Sequence, residues 1–126
     1  MRNSYGSIII FMDTLTSKKC VPCEGGETPL KRSEFEVYLP QVKYWSVIKG
    51  DKYIERDFKF KNFKDALGFV NQVGKLAESE GHHPDIYLHN WRKVRLTLST
   101  HAIKGLSQND FIMAAKIDKF SETRKI

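Results

Sequence analysis

Cysteine is scarce in this chain of 126 residues: there are two, Cys20 and Cys23. So few thiols exclude a disulfide-scaffolded domain, and a lone Cys-Val-Pro-Cys offers only half the ligands a structural zinc takes. A thioredoxin-like dithiol is disfavoured as well, because Gly25, Gly26 and Pro29 follow where a helix should begin. The two are read as a reduced, non-catalytic pair. Long apolar runs are missing too: the longest, Ile8 to Met12, is far below the roughly 20 residues that span a bilayer. As a signal-peptide core that run is poor, with only Arg2 to supply charge and no clear cleavage pattern. The expectation is a cytoplasmic protein without membrane association, targeting by residues 1–30 being left open.

Acidic residues are absent between Asp85 and Asp110, where Arg92, Lys93, Arg95 and Lys104 fall. With a formal charge of +6, nucleic acid is the partner such a gap would suggest. Elsewhere, however, the bases alternate with acids, as in Glu55-Arg56-Asp57, and a solvated strand face explains the gap more simply. Nucleic acid is not an expected partner. Serine nucleophile elbows and phosphate-cradling glycine loops are absent as well.

What is present is the balance of a soluble globular domain, 40% hydrophobic and 29% charged. Residues 1–29 read as an extended, poorly ordered arm carrying the Cys-x-x-Cys, and residues 30–126 as one compact domain. A short helix is expected from Arg32 to Leu39, ended by Pro40. Strand character runs over Tyr44 to Ile48 and Tyr53 to Phe60, with a hairpin at the intervening Gly-Asp. In the second run Ile54, Phe58 and Phe60 share a face that Arg56 interrupts. Asn62 caps a helix whose stripe is Phe63, Ala66, Leu67, Val70, Val73 and Ala77, ending at Gly81. Two more strands follow, Ile86 to His89 and Val94 to Thr100, turning at Asn90 to Arg92. Ser107 to Asp110 forms a capping box for a last helix to about Phe120, with Met113, Ile117 and Phe120 as its buried stripe. The order α-β-β-α-β-β-α predicts an α+β fold in two layers, a four-stranded antiparallel sheet with helices packed on one face.

All four histidines, His82, His83, His89 and His101, fall within a window of 20 residues. His82 and His83 sit just past a helix C-terminus, and His101 ends the last strand, at element ends where scaffolds present chemistry. Adjacent histidines tend to point apart and no His-Glu-x-x-His is present, so metal ligation is disfavoured, although three rings from two segments could still converge. Proton transfer near neutral pH is what imidazoles do best. Asp110 has a plain alternative role as the capping-box carboxylate, Glu78 as a solvated acid, and Trp91 as a core lid.

Taken together, Glu78-x3-His82-His83-Pro84-x6-Trp91-x9-His101-x8-Asp110 closely resembles the motif of the pterin-4a-carbinolamine dehydratases, seven positions in 33 residues. The likeness extends over about Leu30 to Phe120, and Cys20-Val-Pro-Cys23-x-Gly25-Gly26 is similar to the lead segment of a subset of that family. The resemblance implies a hydro-lyase that dehydrates 4a-hydroxytetrahydropterin to quinonoid dihydropterin for tetrahydropterin recycling, with no cofactor and no metal. It implies His82, His83 and His101 as catalytic residues, Glu78, Trp91 and Asp110 as substrate-binding ones, and a homodimer or homotetramer. Trp91 stands where many members have tyrosine, and Ile86 lies near a tryptophan position of vertebrate members. His89 falls outside the implied set. The alternative role within the family is a non-catalytic dimerisation cofactor of the transcriptional coactivator type.

Overall fold

Apolar and polar residues alternate along two hairpins, and this alternation builds the sheet. The computed structural model describes residues 14–22 and 25–122. Its strands are β1 (Ser46–Ile48), β2 (Tyr53–Lys59), β3 (Asp85–His89) and β4 (Lys93–Leu98), joined antiparallel in the order β1-β2-β4-β3. Register pairs Ile54 with Leu98, Phe58 with Val94 and Leu88 with Val94, so one face of the sheet is apolar. Period-two geometry sends Glu55, Asp57, Arg95, Thr97 and Tyr87 to the other face. There the Arg95 guanidinium donates to Asp57 and Thr97 Oγ1 donates to Glu55. Arg95 thereby holds the Asp57 carboxyl below the usual carboxylate range. The basic stretch after Asp85 is thus partly neutralised across strands.

All three helices pack on the apolar face: α1 (Arg32–Phe35), α2 (Phe63–Glu80) and α3 (Gln108–Glu122). The expected two-layer α+β order is the one found. Local differences have physical causes. The helix expected to stop at Pro40 is α-helical only to Phe35 and then continues as a 3-10 helix, Glu36–Val42, that passes through Pro40. Proline lacks an N–H and disfavours α geometry in the residue before it, so the path tightens rather than ends. On α2, Ala66, Phe69, Val73 and Ala77 are buried, whereas Phe63 and Leu67 are exposed. The buried face is centred on Phe69, whose ring meets Phe58 at 4.7 Å and Phe60 at 4.9 Å. Among the described residues no helix is long and apolar enough to cross a membrane.

Arg56 points to the apolar face, as its register opposite Leu96 requires. Its guanidinium donates to Asp118 on α3, Trp45 Nε1 donates to the same carboxylate oxygen at 2.8 Å, and the Phe58 ring lies 4.4 Å from the cation.

Helix α3 is buried on more sides than a two-layer arrangement supplies. The reason is the segment before residue 23, which lies against it. Leu15 is fully buried and its N–H donates to Gln41 Oε1. Lys19 Nζ donates to the Ser79 carbonyl and the Cys20 N–H to Glu80 Oε1. Of the arm expected over residues 1–29, residues 1–13, 23 and 24 lie outside the described set, so no Cys20–Cys23 relation is described. Burial first, and the nearby Glu80 carboxylate second, push the Cys20 thiol up to about 12, which leaves it inert as a nucleophile.

Burial would raise Glu80, but hydrogen bonds from Lys116 Nζ and the Cys20 N–H outweigh it and hold the carboxyl below its ordinary value. A depressed folded value means this latch stabilises the fold above the unfolded value of about 4.3 and is lost as pH falls through the folded one. Urea midpoints are therefore expected to drop between pH 5 and pH 3 more steeply in the native chain than in Glu80→Gln. Parallel curves would show that another carboxylate governs acid stability.

Candidate active site

Helix α2 ends where Gly81 adopts φ +68° and its N–H donates to the Ala77 carbonyl. Glycine takes this left-handed conformation without steric cost, so the chain reverses sharply there. The His82 N–H donates to the same carbonyl, and beyond it the two histidines diverge. His82 turns inward, its side chain only 11% exposed, and its Nε2 lies 2.7 Å from Asp110 Oδ1. His83 turns outward to Glu78, Nε2 to Oε2 at 2.6 Å, both side chains exposed.

Asp110 is fully buried at the start of α3. Its Oδ2 accepts from the Ser107 N–H at 2.9 Å and from Thr100 Oγ1 at 2.8 Å. One half of the expected capping box is present, the Asp110 carboxylate on the Ser107 N–H, whereas Ser107 Oγ caps the Asn109 N–H and the Asp110 N–H goes to the Ser107 carbonyl; the same carboxylate also holds His82, because its two oxygens face in different directions. Polar hydrogens run one way: the Asn109 N–H to Ser107 Oγ, Ser107 Oγ to Thr100 Oγ1, and Thr100 Oγ1 to Asp110. With every neighbour donating to it, Asp110 serves as acceptor, which makes Nε2 the hydrogen-bearing nitrogen of His82 and leaves Nδ1 to exchange a proton. Asp110 has no exposed surface of its own, and its contact toward the cavity is the His82 ring.

His101 opens a 3-10 turn, His101–Ile103, at the tip of a loop closed by a bridge between Thr100 and Gly105. No described residue hydrogen-bonds the His101 ring. Gly105 permits the loop to lie against the N-terminal chain: a Cβ there would sit 2.6 Å from Pro29 Cβ and 2.9 Å from its Cγ. Gly105→Ala is expected to cost about 1–3 kcal/mol through overpacking and to displace the His101 loop. Thermal melting checks this; an unchanged midpoint would show that Pro29 yields freely.

His82, His83 and His101 line one cavity of about 220 Å³ with Thr100, Val21 and Asn109. A wider groove of about 690 Å³ includes His83, Glu78, Pro84 and Ile86 but neither of the other two histidines. Of these two spaces, the smaller is lined by all three histidines. Trp91 is not in it. The Trp91 ring is 58% exposed at the tip of the β3–β4 hairpin. Five residues of strand separate that tip from the histidine end, on the order of 15 Å. His89 lies on the solvent face, stacked on Tyr87 at 4.4 Å. Among the described residues, no group of three or more histidine, cysteine, aspartate or glutamate side chains is arranged to hold a metal ion. Sequence reasoning missed Val21, Thr100 and Asn109; a threonine and an asparagine flanking motif positions were the available signal for two of them.

Comparison with known proteins places the chain in a family. The family model for pterin 4 alpha carbinolamine dehydratase matches residues 28–120. A protein of Alkaliphilus metalliredigens provisionally named pterin-4-alpha-carbinolamine dehydratase is 53% identical over 109 residues, 86% of this chain and 96% of that one. One from Rubrobacter xylanophilus, with the same provisional name, is 46% identical over 86% of this chain and 99% of its own length. Among solved structures, a transcriptional coactivator/pterin dehydratase from Brucella melitensis superimposes with a TM-score of 0.67 at 35% identity, over 73% of this chain and 97% of that one.

Proposed function

Because the chain belongs to the pterin 4 alpha carbinolamine dehydratase family, we propose that it eliminates water from 4a-hydroxytetrahydropterin to give quinonoid dihydropterin, with its three histidines handling the protons. The observation that carries this reading is the convergence of His82, His83 and His101 on one cavity, with His82 fixed from behind by a buried carboxylate. Dehydration breaks the C4a–O bond and the N5–H bond, and the N5 electron pair forms the N5=C4a double bond. The hydroxyl leaves as water after gaining one proton, and N5 gives one up. No electron acceptor is needed.

In this proposal His82 takes the N5 proton on Nδ1, and Asp110 stabilises the imidazolium that results. His83, held at the rim by Glu78, delivers the proton to the departing hydroxyl. His101 hydrogen-bonds that hydroxyl and orients it. Glu78 and Asp110 are positioning residues here, and Trp91 has no part. Self-association, as a dimer or tetramer, is supported by the exposed Phe63 and Leu67 of α2 and Ile86 of the unpaired edge strand β3. The deciding experiment is a stopped-flow assay on freshly generated 4a-carbinolamine. Acceleration over the spontaneous reaction is expected; its absence overturns the reading in favour of a non-catalytic binding role.

A further inference from the structure

The segment Lys19 to Pro22 precedes the family-matched region, yet it forms a wall of the histidine cavity through Val21. It is held at three successive residues. Lys19 Nζ donates to the Ser79 carbonyl at 2.7 Å, and the Cys20 N–H to Glu80 Oε1 at 2.9 Å. Val21 and Asn109 pair like an extra rung of sheet: the Val21 N–H donates to Asn109 Oδ1 at 3.0 Å, and Asn109 Nδ2 donates to the Val21 carbonyl at 2.6 Å. Asn109 itself is buried and adjoins Asp110, so the Val21 backbone is tied to the element that positions His82. The Val21 side chain, by contrast, is 66% exposed, at the cavity mouth.

Val21 and Asn109 also line a second cavity of about 280 Å³, whose other walls include the polar Lys19, Glu27, Ser107 and Gln108 and the apolar Leu30 and Ile103. Two walls are common to both spaces. The bond order of the substrate makes this arrangement consequential. C4a and N5 must lie within proton-transfer reach of the histidines, about 3 Å. C6 is the next ring atom after N5, so whatever substituent it carries begins inside the histidine cavity and must leave past its rim.

Resting on the dehydratase reading above, we propose that Val21 is a specificity-determining residue: the C6 substituent passes over it into the second cavity, where Lys19, Ser107 and Gln108 receive a hydroxylated chain. A short alkyl substituent stops before Val21 and is indifferent to it. The site therefore favours pterins with polar C6 chains longer than methyl.

The test compares native chain and Val21→Trp on the 4a-hydroxy forms of tetrahydrobiopterin, which carries a dihydroxypropyl chain, and of 6-methyltetrahydropterin. Because the position is exposed, the indole does not disturb the core, and matching melting temperatures verify that. Val21→Trp is expected to raise KM for the dihydroxypropyl substrate about tenfold, with kcat unchanged and the 6-methyl substrate altered less than about threefold. Equal effects on both substrates, or none on either, overturn the wall while leaving the dehydratase reading intact. A native chain that accelerates neither reaction overturns both.

Discussion

His82→Ala is expected to slow dehydration by about 100- to 10,000-fold, the range associated with losing a positioned general acid or base. KM should move far less, since the ring is nearly buried and contributes little contact area. The companion variant Asp110→Asn separates positioning from catalysis. An amide in that place presents one oxygen and one NH2 to neighbours that all donate, so His82 Nε2, Thr100 Oγ1 or the Ser107 N–H faces a donor. His82 is then free to take the other tautomer. We expect kcat to fall by at least tenfold, its pH profile to shift, and stability to drop by roughly 1–3 kcal/mol. A variant that lost stability but kept both kcat and the pH profile would reduce Asp110 to its capping role. His82→Ala retaining native kcat would remove His82 from the reaction.

The second large effect is on folding alone. Asp118→Ala leaves the Arg56 guanidinium on the apolar face of the sheet without its carboxylate and takes the acceptor from Trp45 Nε1. Removing one partner of a buried pair costs about 3–5 kcal/mol, and some solvent access at Arg56 places this case near 3. For a domain of this size that lowers Tm by about 10–20 °C. Neither Arg56 nor Asp118 lines the histidine cavity, so kcat at 25 °C should be unchanged. Replacing Arg56 and Asp118 together by Met and Leu should recover most of the loss, because no charge is then left buried alone. Urea titration of Asp118→Ala, of the single variants Arg56→Met and Asp118→Leu, and of the double variant measures all of this, and additive losses would show that the two side chains are not coupled.

Arg56 also illustrates how far the sequence could be read. Alternation located the strand and flagged the arginine as an interruption of its apolar face, but its partner lies 62 residues away on α3. The hairpins, the central helix and its glycine stop were legible because each is set by neighbours within a few positions. Phe69 escaped the expected stripe because a rotation of about 45°, half of one residue's turn, exchanges it for Leu67, and only the sheet decides which is covered. The site divides in the same way. Clustering marked the histidines, and motif spacing marked Asp110. The Val21–Asn109 pairing spans 88 residues and has no local signal. Trp91 holds a motif position, and the length of the β3–β4 hairpin places it at the end of the strands away from the histidines.

The reversal at Gly81 gives two consecutive imidazoles opposite surroundings, one against a buried carboxylate and one at the rim. That assignment depends on a count. One residue inserted between Gly81 and Pro84 would turn the inward ring out, separate it from Asp110, and shift the start of β3 against β4 so that Ile86 and Leu88 left the apolar face. This stretch is therefore fixed in length as well as in its glycine and its two histidines. Among variants of this chain, insertions and deletions should be missing from the turn.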